Sequence, residues 1–415
     1  MSARIVVVGG GTAGTLAANR LRRRFPSERA SITVIDANDR HLYKPGLLFV
    51  PFGLARPSRL VRSRGTQLAS GVVFLERSVV QVDLDSGHVL CDDGSAVGYD
   101  VLVLASGVRL APEETPGLTG DGWSRSAHSF YDLEGSARLA AALASFEGGR
   151  LVVATMDMPI ACPVAPLEFC FLADWHLRTR GLRAKVELVY LTPLDGAFTK
   201  ATCNRELEGL LADKGVEVVT DFTTAEVDRA RRRIVSYDGR EVAYDLAVVV
   251  PLHEGAAYVS ASDGLGDALG FVPADPATLQ SRARPNVFVI GDAADLPAPK
   301  AASVAHFEGA VLEANIVAFL EERPPPARFD GHASCFIESG FHKALLIDYN
   351  YDLEPVPGHF PARVGLPLLR QSHLNHLGKR AFEQLYWHVL LPGRELPGLR
   401  SDMPESGKRR DLIAA

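Results

Sequence analysis

The sequence contains few cysteines. Among 415 residues there are five, and they are scattered along the chain: Cys91, Cys162, Cys170, Cys203 and Cys335. Cysteines so few and so widely separated do not form a disulfide framework, and the lack of a CxxC pair or a Cys/His cluster argues against zinc. We therefore predict no metal site. Isolated cysteines in a chain of this length are mostly buried small hydrophobic residues, so a reactive one must be argued from its surroundings.

An excess of basic residues and a long apolar run are missing as well. The formal net charge is −6, which excludes a globally basic surface and argues against nucleic-acid binding. No run of about 18 apolar residues is evident, so we predict no membrane-spanning segment. The amino terminus, MSARIVVVGGG, begins a strand at about the fourth residue. This leaves no room for a signal peptide and predicts a location on the cytoplasmic side.

The N-terminal segment predicts a dinucleotide-binding unit. The apolar run IVVV is followed by Gly9, Gly11 and Gly14 in the spacing Gly-x-Gly-x-x-Gly, and then by an amphipathic helix. The first glycine permits a tight turn, the second lets backbone approach a pyrophosphate, and the third lets the helix pack on the strand. The next predicted strand ends in Asp36. A carboxylate at that place can bind both ribose hydroxyls and disfavours a 2′-phosphate.

Two later segments indicate which dinucleotide is bound. Ala105, Ser106 and Gly107 follow one apolar strand, and Gly291 and Asp292 follow another. With the N-terminal glycines, this order resembles the two-dinucleotide-binding-domain flavoproteins, in which the glycine-aspartate pair holds the ribityl chain and pyrophosphate of FAD. The resemblance implies that FAD is the cofactor.

These motifs predict an α/β fold with two Rossmann-like dinucleotide-binding domains of the disulfide-reductase type and a C-terminal region. A length of 415 residues suits two or three domains. We expect a discontinuous FAD-binding domain at residues 1–110 and 246–325 and a second Rossmann-like domain at 111–245. The remaining residues, 326–415, are expected to cover the flavin and to contact a membrane surface.

The second Rossmann-like domain lacks the fingerprint that NAD(P)H needs. Residues 152–168 read VVATMDMPIACPVAPLE, and no glycine occurs between Thr155 and Glu168. Three prolines in this stretch remove three backbone donors, so a pyrophosphate would find few N–H groups. We therefore predict that NAD(P)H is not the reductant.

The cysteines of this region have two interpretations when each is considered alone. Cys162 precedes a predicted helix start, where a helix dipole lowers a thiol pKa, but it could equally be a buried residue that fills the turn. Cys335 lies in a C-terminal section of short strands and is, taken alone, more typical of a core. Cys170 follows Cys162 by eight residues and is predicted to be core, with a resolving thiol as the alternative.

Together, CPVAPLE and CFIESGFHKALLIDYNYD resemble the sulfide:quinone oxidoreductases and the related flavocytochrome c sulfide dehydrogenases. The resemblance implies that Cys162 and Cys335 are a redox pair, joined by a disulfide or sulfur bridge, that sulfide attacks by thiol–disulfide exchange. It implies that Cys335 becomes the thiolate that passes two electrons to FAD and that Cys162 carries the persulfide. The sulfur chain grows until polysulfide or zero-valent sulfur leaves.

The same resemblance assigns three further residues. Glu168 matches a glutamate near the first cysteine and is the candidate base, with a first-turn helix acid as the alternative. Lys300 is expected to stabilise the reduced flavin, and Phe336 to pack on the quinone ring. Many members carry a third cysteine near residues 120–135; this sequence has none there, so a two-cysteine subtype is predicted.

Residues 366–393 indicate the electron acceptor. They mix apolar residues at helical spacing with basic ones, among them Lys379, and include Tyr386 and Trp387, which are favoured at membrane interfaces. Polar residues interrupt the run, so we expect it to lie on a membrane rather than cross it, as reduction of a membrane quinone requires. A helix packed on its own domain or on a second copy is the alternative, and a homo-oligomer remains open.

Three other functions remain to be weighed. A flavin subunit of a sulfide:cytochrome c system would need export and a haem partner. A type II NADH:quinone dehydrogenase would need the missing second glycine fingerprint. A flavin-bearing redox sensor would use the same cysteines without turnover.

Overall fold

Two parallel five-stranded sheets dominate the fold. The structure is a computed structural model that describes residues 2–120, 123–395 and 400–412. In spatial order, the first sheet contains Val287–Val289, Val101–Leu104, Ala3–Val8, Ala30–Asp36 and Val72–Glu76. The second contains Ala127–His128, Leu246–Val250, Gly149–Thr155, Val186–Leu191 and Val216–Val219.

The α-helices of the described residues are labelled in chain order. They are α1 Thr12–Arg24, α2 Trp123–Ser126, α3 Leu133–Ser145, α4 Ala165–Thr179, α5 Ala201–Asp213, α6 Ala257–Ser260, α7 Ala302–Leu320 and α8 His373–Leu385.

Smaller sheets join and extend these layers. Two are three-stranded: Val79–Asp83 with His88–Cys91 and Ala96–Gly98, and Thr224–Asp228 with Arg233–Ser236 and Glu241–Ala243. The two-stranded pairs are Arg40–Leu42 with Val61–Ser63, Arg109–Leu110 with His253–Glu254, Val272–Pro273 with Ala294–Asp295, Ala333–Gly340 with Lys343–Tyr349, and Gly358–Phe360 with Leu366–Leu368.

The first sheet positions the predicted nucleotide motifs. Its central strand, Ala3–Val8, is apolar and buried along its last four residues, as expected for a parallel strand covered on both faces. The chain leaves that strand at Gly9 and enters α1. Because the carboxyl ends of parallel strands lie at one edge, the turns after Val8, Leu104 and Val289 meet there.

The second sheet repeats this plan and corrects one predicted boundary. Leu246–Val250 was assigned to the returning part of the FAD-binding domain, but it pairs with Gly149–Thr155 in the second sheet. Five apolar, fully buried residues form this strand, and its apolar pattern suits the interior of either sheet. The chain returns toward the first sheet after it, through the ribbon that pairs Arg109–Leu110 with His253–Glu254.

One helix of the described residues is long and apolar enough to cross a membrane. It is α7, with a mean hydropathy of 1.3, and 61% of its apolar window is buried. The sequence predicts no membrane-spanning segment, because polar residues interrupt the apolar residues of α7. The helix packs against α1 and the hairpin strand Ala333–Gly340, as a core helix does.

Candidate active site

One cavity of about 430 Å³ gathers the predicted site residues. It lies where the first sheet's carboxyl ends face the turn before α4 and the helix α8. Every predicted site residue except Gly9 and Gly14, which shape the turn behind it, lines this cavity: Gly11, Asp36, Ala105, Ser106, Gly107, Cys162, Glu168, Gly291, Asp292, Lys300, Cys335 and Phe336.

The first turn has the form that a pyrophosphate requires. Gly9 has φ +94°, in the left-handed region that favours glycine. A Cβ on Gly14 would lie 1.8 Å from the Gly9 carbonyl oxygen, whereas a Cβ on Gly11 would meet no protein atom within 4 Å. No side chain caps the N-terminus of α1, and its first turn has no acidic residue. The helix N-terminus therefore presents a positive dipole end to the cavity, as anion binding needs.

Asp36 is held in place beside the turn. Its Oδ2 atom accepts a hydrogen bond from the Gly10 amide at 2.7 Å and forms an ion pair with Arg64 at 2.9 Å. Arg64 is buried and also lines the cavity. Sequence reasoning missed Arg64, because it comes from a short segment between elements and carries no motif.

Hydrogen bonds from two sides fix the turn at Gly291. Its amide donates to Glu308 of α7 at 2.7 Å, and burial raises the pKa of Glu308 to about 7. The Lys300 ammonium donates to the carbonyl oxygens of Asp292 at 2.9 Å and Ala294 at 3.1 Å. Burial lowers the pKa of Lys300. Lys300, in the cavity wall, thus holds the Gly291 turn in place through these two hydrogen bonds. Its role toward the flavin stays a prediction.

The turn before α4 is built differently. Cys162 has φ +50°, a left-handed conformation that costs a non-glycine residue roughly 1–3 kcal/mol. Its amide donates to the Lys300 carbonyl oxygen at 2.8 Å, and the Tyr131 hydroxyl donates to the Ala161 carbonyl oxygen at 3.0 Å. The first bond joins the turn's backbone to the first domain, and the second joins it to Tyr131 of its own domain. They hold the Cys162 thiol at the cavity wall.

The two thiols at the cavity differ in acidity. Cys162 and Cys335 are free thiols. Burial raises the pKa of both, to about 11 for Cys335 and further for Cys162, where Glu168 and Cys335 add to the effect. Lys379 lowers both pKa values, and Ser303, in the first turn of α7, lowers that of Cys335. Cys335 is therefore the better thiolate, in keeping with the role that the resemblance gave it.

Glu168 forms a buried ion pair that sequence reasoning missed. It lies in the first turn of α4, and its Oε1 atom accepts from the Lys379 ammonium and from the Glu338 amide, both at 2.6 Å. Burial raises the pKa of Glu168 against these contacts. Burial opposes the charge on Lys379, but Glu168 raises its pKa overall. Lys379 also donates to the Phe336 carbonyl oxygen at 2.8 Å.

The prediction that Lys379 lies on a membrane-facing surface is therefore wrong. Its side chain points inward because the buried carboxylate of Glu168 needs a cation. Phe382 lies three residues on, at the spacing that shares a helix face, and it too lines the cavity. The three-residue spacing of Lys379 and Phe382 was the feature of the sequence that could have placed Lys379 on the inward face of α8.

The end of the cavity near α8 is aromatic. Phe336 and Phe382 line it with Tyr43 and Leu42. A Cβ on Gly378 of α8 would lie 2.8 Å from Phe336 Cζ, so the glycine lets the ring approach the helix closely. A flat apolar ring would fit between such side chains.

The outer face of α8 is apolar and exposed. Leu374 and Leu377 are 52% and 61% exposed. Tyr386 and Trp387, predicted at a membrane interface, are instead buried, because the Tyr386 hydroxyl bonds to Thr12 and His41, each at 2.7 Å.

Cys170 lies away from this chemistry. It is fully buried in the hydrophobic core on α4, and burial raises its pKa. Among the residues that the structure describes, it is not one that lines the cavity.

The fold and the cavity together define a class of protein. Residues 3–153 match the family model described as pyridine nucleotide-disulphide oxidoreductase, and the predicted fold class is confirmed. The chain is an FAD-binding oxidoreductase, and its N-terminal part is similar to this family. The Gly9–Gly14 turn, the uncapped helix N-terminus and Asp36 suit the pyrophosphate and ribose of that cofactor.

The chain is homologous to proteins named sulfide:quinone oxidoreductase. It is 26% identical to the mitochondrial enzyme of that name from Mus musculus and 26% identical to that from Dictyostelium discoideum, each over 94% of this chain and 86% of the relative. The crystal structure of the sulfide:quinone oxidoreductase from Aquifex aeolicus superposes with a TM-score of 0.80 at 20% identity, over 95% of this chain and 92% of that one. The predicted resemblance is thereby confirmed.

Proposed function

We propose that the chain oxidises sulfide with the Cys162/Cys335 pair and passes two electrons through FAD to a membrane quinone. The observation that carries this proposal is the placement of both thiols on the wall of the FAD cavity, where the second domain's turn has no glycine. The sulfide:quinone oxidoreductases among its relatives support the same substrate and acceptor.

In the first step, HS⁻ attacks the Cys162 sulfur of a Cys162–Cys335 disulfide. The old S–S bond breaks as a new one forms, so Cys162 becomes a persulfide and Cys335 leaves as a thiolate. Because Lys379 and Ser303 both lower the pKa of Cys335, its thiolate is a stabilised leaving group. This direction of attack agrees with the roles that the resemblance assigned.

The second step removes two electrons. Bond formation between the Cys335 sulfur and the outer sulfur of the Cys162 persulfide gives a trisulfide and releases two electrons and one proton. FAD, when bound, supplies the two-electron acceptor. Glu168, with its carboxylate against Lys379, is the candidate acceptor for the proton. Repeated attack lengthens the sulfur chain until polysulfide or zero-valent sulfur leaves.

The aromatic end of the cavity is the proposed quinone site. Phe336 and Phe382 offer faces for the ring, and Lys379 provides a charged donor beside them. The exposed Leu374 and Leu377 on α8 lie near this end and suit a membrane surface. We propose that the protein binds there peripherally, on the cytoplasmic side, so that quinone reaches the cavity from the bilayer.

Turnover tests the reaction. Purified holoprotein mixed anaerobically with sulfide and a soluble short-chain quinone should bleach the quinone and produce sulfane sulfur in large molar excess over the enzyme. A redox sensor would react once with sulfide and then stop. Flavin reduction by sulfide without quinone turnover would therefore remove the enzymatic role.

Flotation with anionic lipid vesicles tests the membrane contact. Leu377→Glu should release the protein from vesicles, because a charge replaces an exposed apolar anchor. Tyr237→Glu is the matched control, since Tyr237 is an aromatic residue that is even more exposed, at 75%, in a turn of the second domain. Equal flotation of the two variants would remove α8 as the contact.

A further inference from the structure

A second cavity, of about 140 Å³, lies on the other side of Lys379. Lys379 and Tyr43 line both cavities and form the wall between them. Exposed residues, among them Leu54 and Phe341, lie at its rim. Nothing in the proposed reaction so far uses this cavity.

A hydrogen-bonded histidine–glutamate pair forms the floor of the second cavity. His376 Nδ1 lies 2.9 Å and 3.1 Å from the two carboxylate oxygens of Glu338. Glu338 is buried, and its amide is the group that donates to Glu168. One strand residue therefore connects the Glu168–Lys379 pair of the first cavity to the histidine of the second.

The charges of this cluster are unbalanced. Glu168 and Glu338 are two buried carboxylates, and Lys379, which bonds to Glu168, is the lysine that lines the second cavity. Two negative charges and one positive charge leave a deficit that burial makes costly. An imidazole can bind and release a proton, so His376, hydrogen-bonded to Glu338, is the group of this cluster that can carry one. The titratable and charged groups that face His376 around the second cavity are Tyr43, Glu338, His342, Lys379, Arg380 and Glu383.

The proposed reaction consumes one such proton. When the substrate is HS⁻, the balance is HS⁻ + quinone + H⁺ → S⁰ + quinol: two electrons leave sulfur, one proton comes from the S–H group, and one comes from solvent. The quinone is expected to lie beside Lys379, in the first cavity. A path for the solvent proton must therefore reach that ammonium without crossing the sulfur chemistry.

We propose that the second cavity is the inlet for this proton: His376, held by Glu338, passes it through the cavity to Lys379, which lines both cavities and donates it to the reduced quinone. This inference rests on the proposed function. His376 and Glu338 are positioning and relay residues, since neither lines the FAD cavity; Lys379 is the group at the reacting end.

His376→Ala tests the relay, because it opens space for a free imidazole at the floor of the cavity. In stopped-flow experiments on the holoprotein, flavin bleaching by sulfide should stay within about twofold of wild type. Reoxidation by a soluble short-chain quinone should slow by about tenfold or more, most strongly at alkaline pH. Proton uptake, followed with an indicator dye in weak buffer, should slow equally. Millimolar imidazole should restore both rates.

Two further variants keep the test decisive. His376→Gln keeps a hydrogen bond to Glu338 but cannot carry a proton, so it should show the same slow reoxidation with an unchanged melting temperature. His373→Ala is the matched control, because His373 is exposed on the same helix and contacts only the His342 carbonyl among the hydrogen bonds of its ring; it should behave as wild type.

Three outcomes overturn the relay. Reoxidation and proton uptake at wild-type speed in His376→Ala would do so, as would slow reoxidation that neither imidazole nor pH alters, which marks a structural role. Wild-type protein that sulfide does not bleach, or that quinone does not reoxidise, overturns the proposed function and the relay with it; the other two outcomes leave the proposed function intact.

Discussion

Two strand–turn–helix units with the same plan carry different turns. In the first, the strand ends at Val8 and α1 begins at Thr12; in the second, the strand ends at Thr155 and α4 begins at Ala165. The short turn is made of glycines and leaves a helix N-terminus facing the cavity. The long turn contains prolines and binds its neighbours through backbone hydrogen bonds.

Under the proposed function, the turn, and not the sheet, sets the ligand of each unit. In the second turn the Cys162 amide is already used by the Lys300 carbonyl, and a thiol lies at the wall where backbone would otherwise meet a phosphate. The second domain thereby turns its helix start toward the first domain's cofactor. Changes in either turn should affect distinct functions.

The largest expected effect concerns the second turn's chemistry. Cys335→Ser should abolish flavin bleaching by sulfide while leaving FAD bound, because a hydroxyl cannot form the S–S bond or leave as a thiolate. Anaerobic stopped-flow absorbance measures this. Cys170→Ala is the matched control, since that thiol is buried in the core on α4, the helix that follows the second turn; it should bleach normally. Normal bleaching in Cys335→Ser would contradict the assignment.

The first turn should fail in a different way. Gly14→Ala places a Cβ 1.8 Å from the Gly9 carbonyl oxygen, so the turn must open and the protein should purify without its yellow colour. Gly209→Ala, on the surface of α5 where a Cβ meets nothing within 4 Å, should retain FAD and gain up to about 1 kcal/mol of stability. The flavin-to-protein absorbance ratio compares them, and a fully loaded Gly14→Ala protein would refute the turn's role.

Lys379 joins the two regions, so its loss should weaken rather than abolish the reaction. The ammonium lowers the pKa of both active thiols; in Lys379→Met these pKa values rise, and less thiolate exists at a given pH. Sulfide bleaching should slow by roughly 10–100-fold, with the rising limb of its pH profile moved to higher pH.

A second substitution separates the effect of Lys379 on the reaction rate from its effect on protein stability. Lys379→Met leaves Glu168 buried without its cation, which is strongly destabilising. Adding Glu168→Gln should restore the melting temperature and not the rate. The rate of the double variant is compared with that of Glu168→Gln alone, and equal rates would show that Lys379 acts only on folding.

The smallest predicted effect is on stability at the Gly291 turn. The pKa of Glu308 is about 7 in the folded protein, against an ordinary 4.5, so the fold favours the protonated form. Stability from this group is complete below pH 4.5 and is lost as pH rises to 7. Glu308→Gln stays neutral and should be more stable than wild type at pH 8, by on the order of 2–3 kcal/mol, and equal at pH 4.5. Denaturant unfolding of both proteins at pH 4.5 and pH 8 measures this difference in the free energy of unfolding. Equal stability of the two proteins at pH 8 would contradict the prediction.

Local turn chemistry explains what the sequence predicted well. Gly9, Gly14 and Gly291 each lie where the chain itself requires a glycine, through a positive φ or a close approach of backbone. Such requirements can be read within a few residues. The missing glycines before Glu168 were informative for the same reason.

Long-range packing explains what sequence reasoning missed. Lys379 meets Glu168 across 211 positions of the chain, and no pattern within α8 encodes that distance. Tyr386 and Trp387 carry the composition of a membrane interface, but a hydrogen bond from Tyr386 to His41 places them in the core. The strand Leu246–Val250 is apolar enough for the interior of either sheet, so the sequence does not predict which strand it pairs with.

The central claim is that sulfide, and not NADH, reduces the flavin, because the second turn offers a thiol and no nucleotide site. Anaerobic mixing of the purified flavoprotein with sulfide or with NADH tests it most directly. The account predicts rapid loss of flavin absorbance with sulfide and none with NADH on the same timescale. Bleaching by NADH, with sulfide inert, would contradict it.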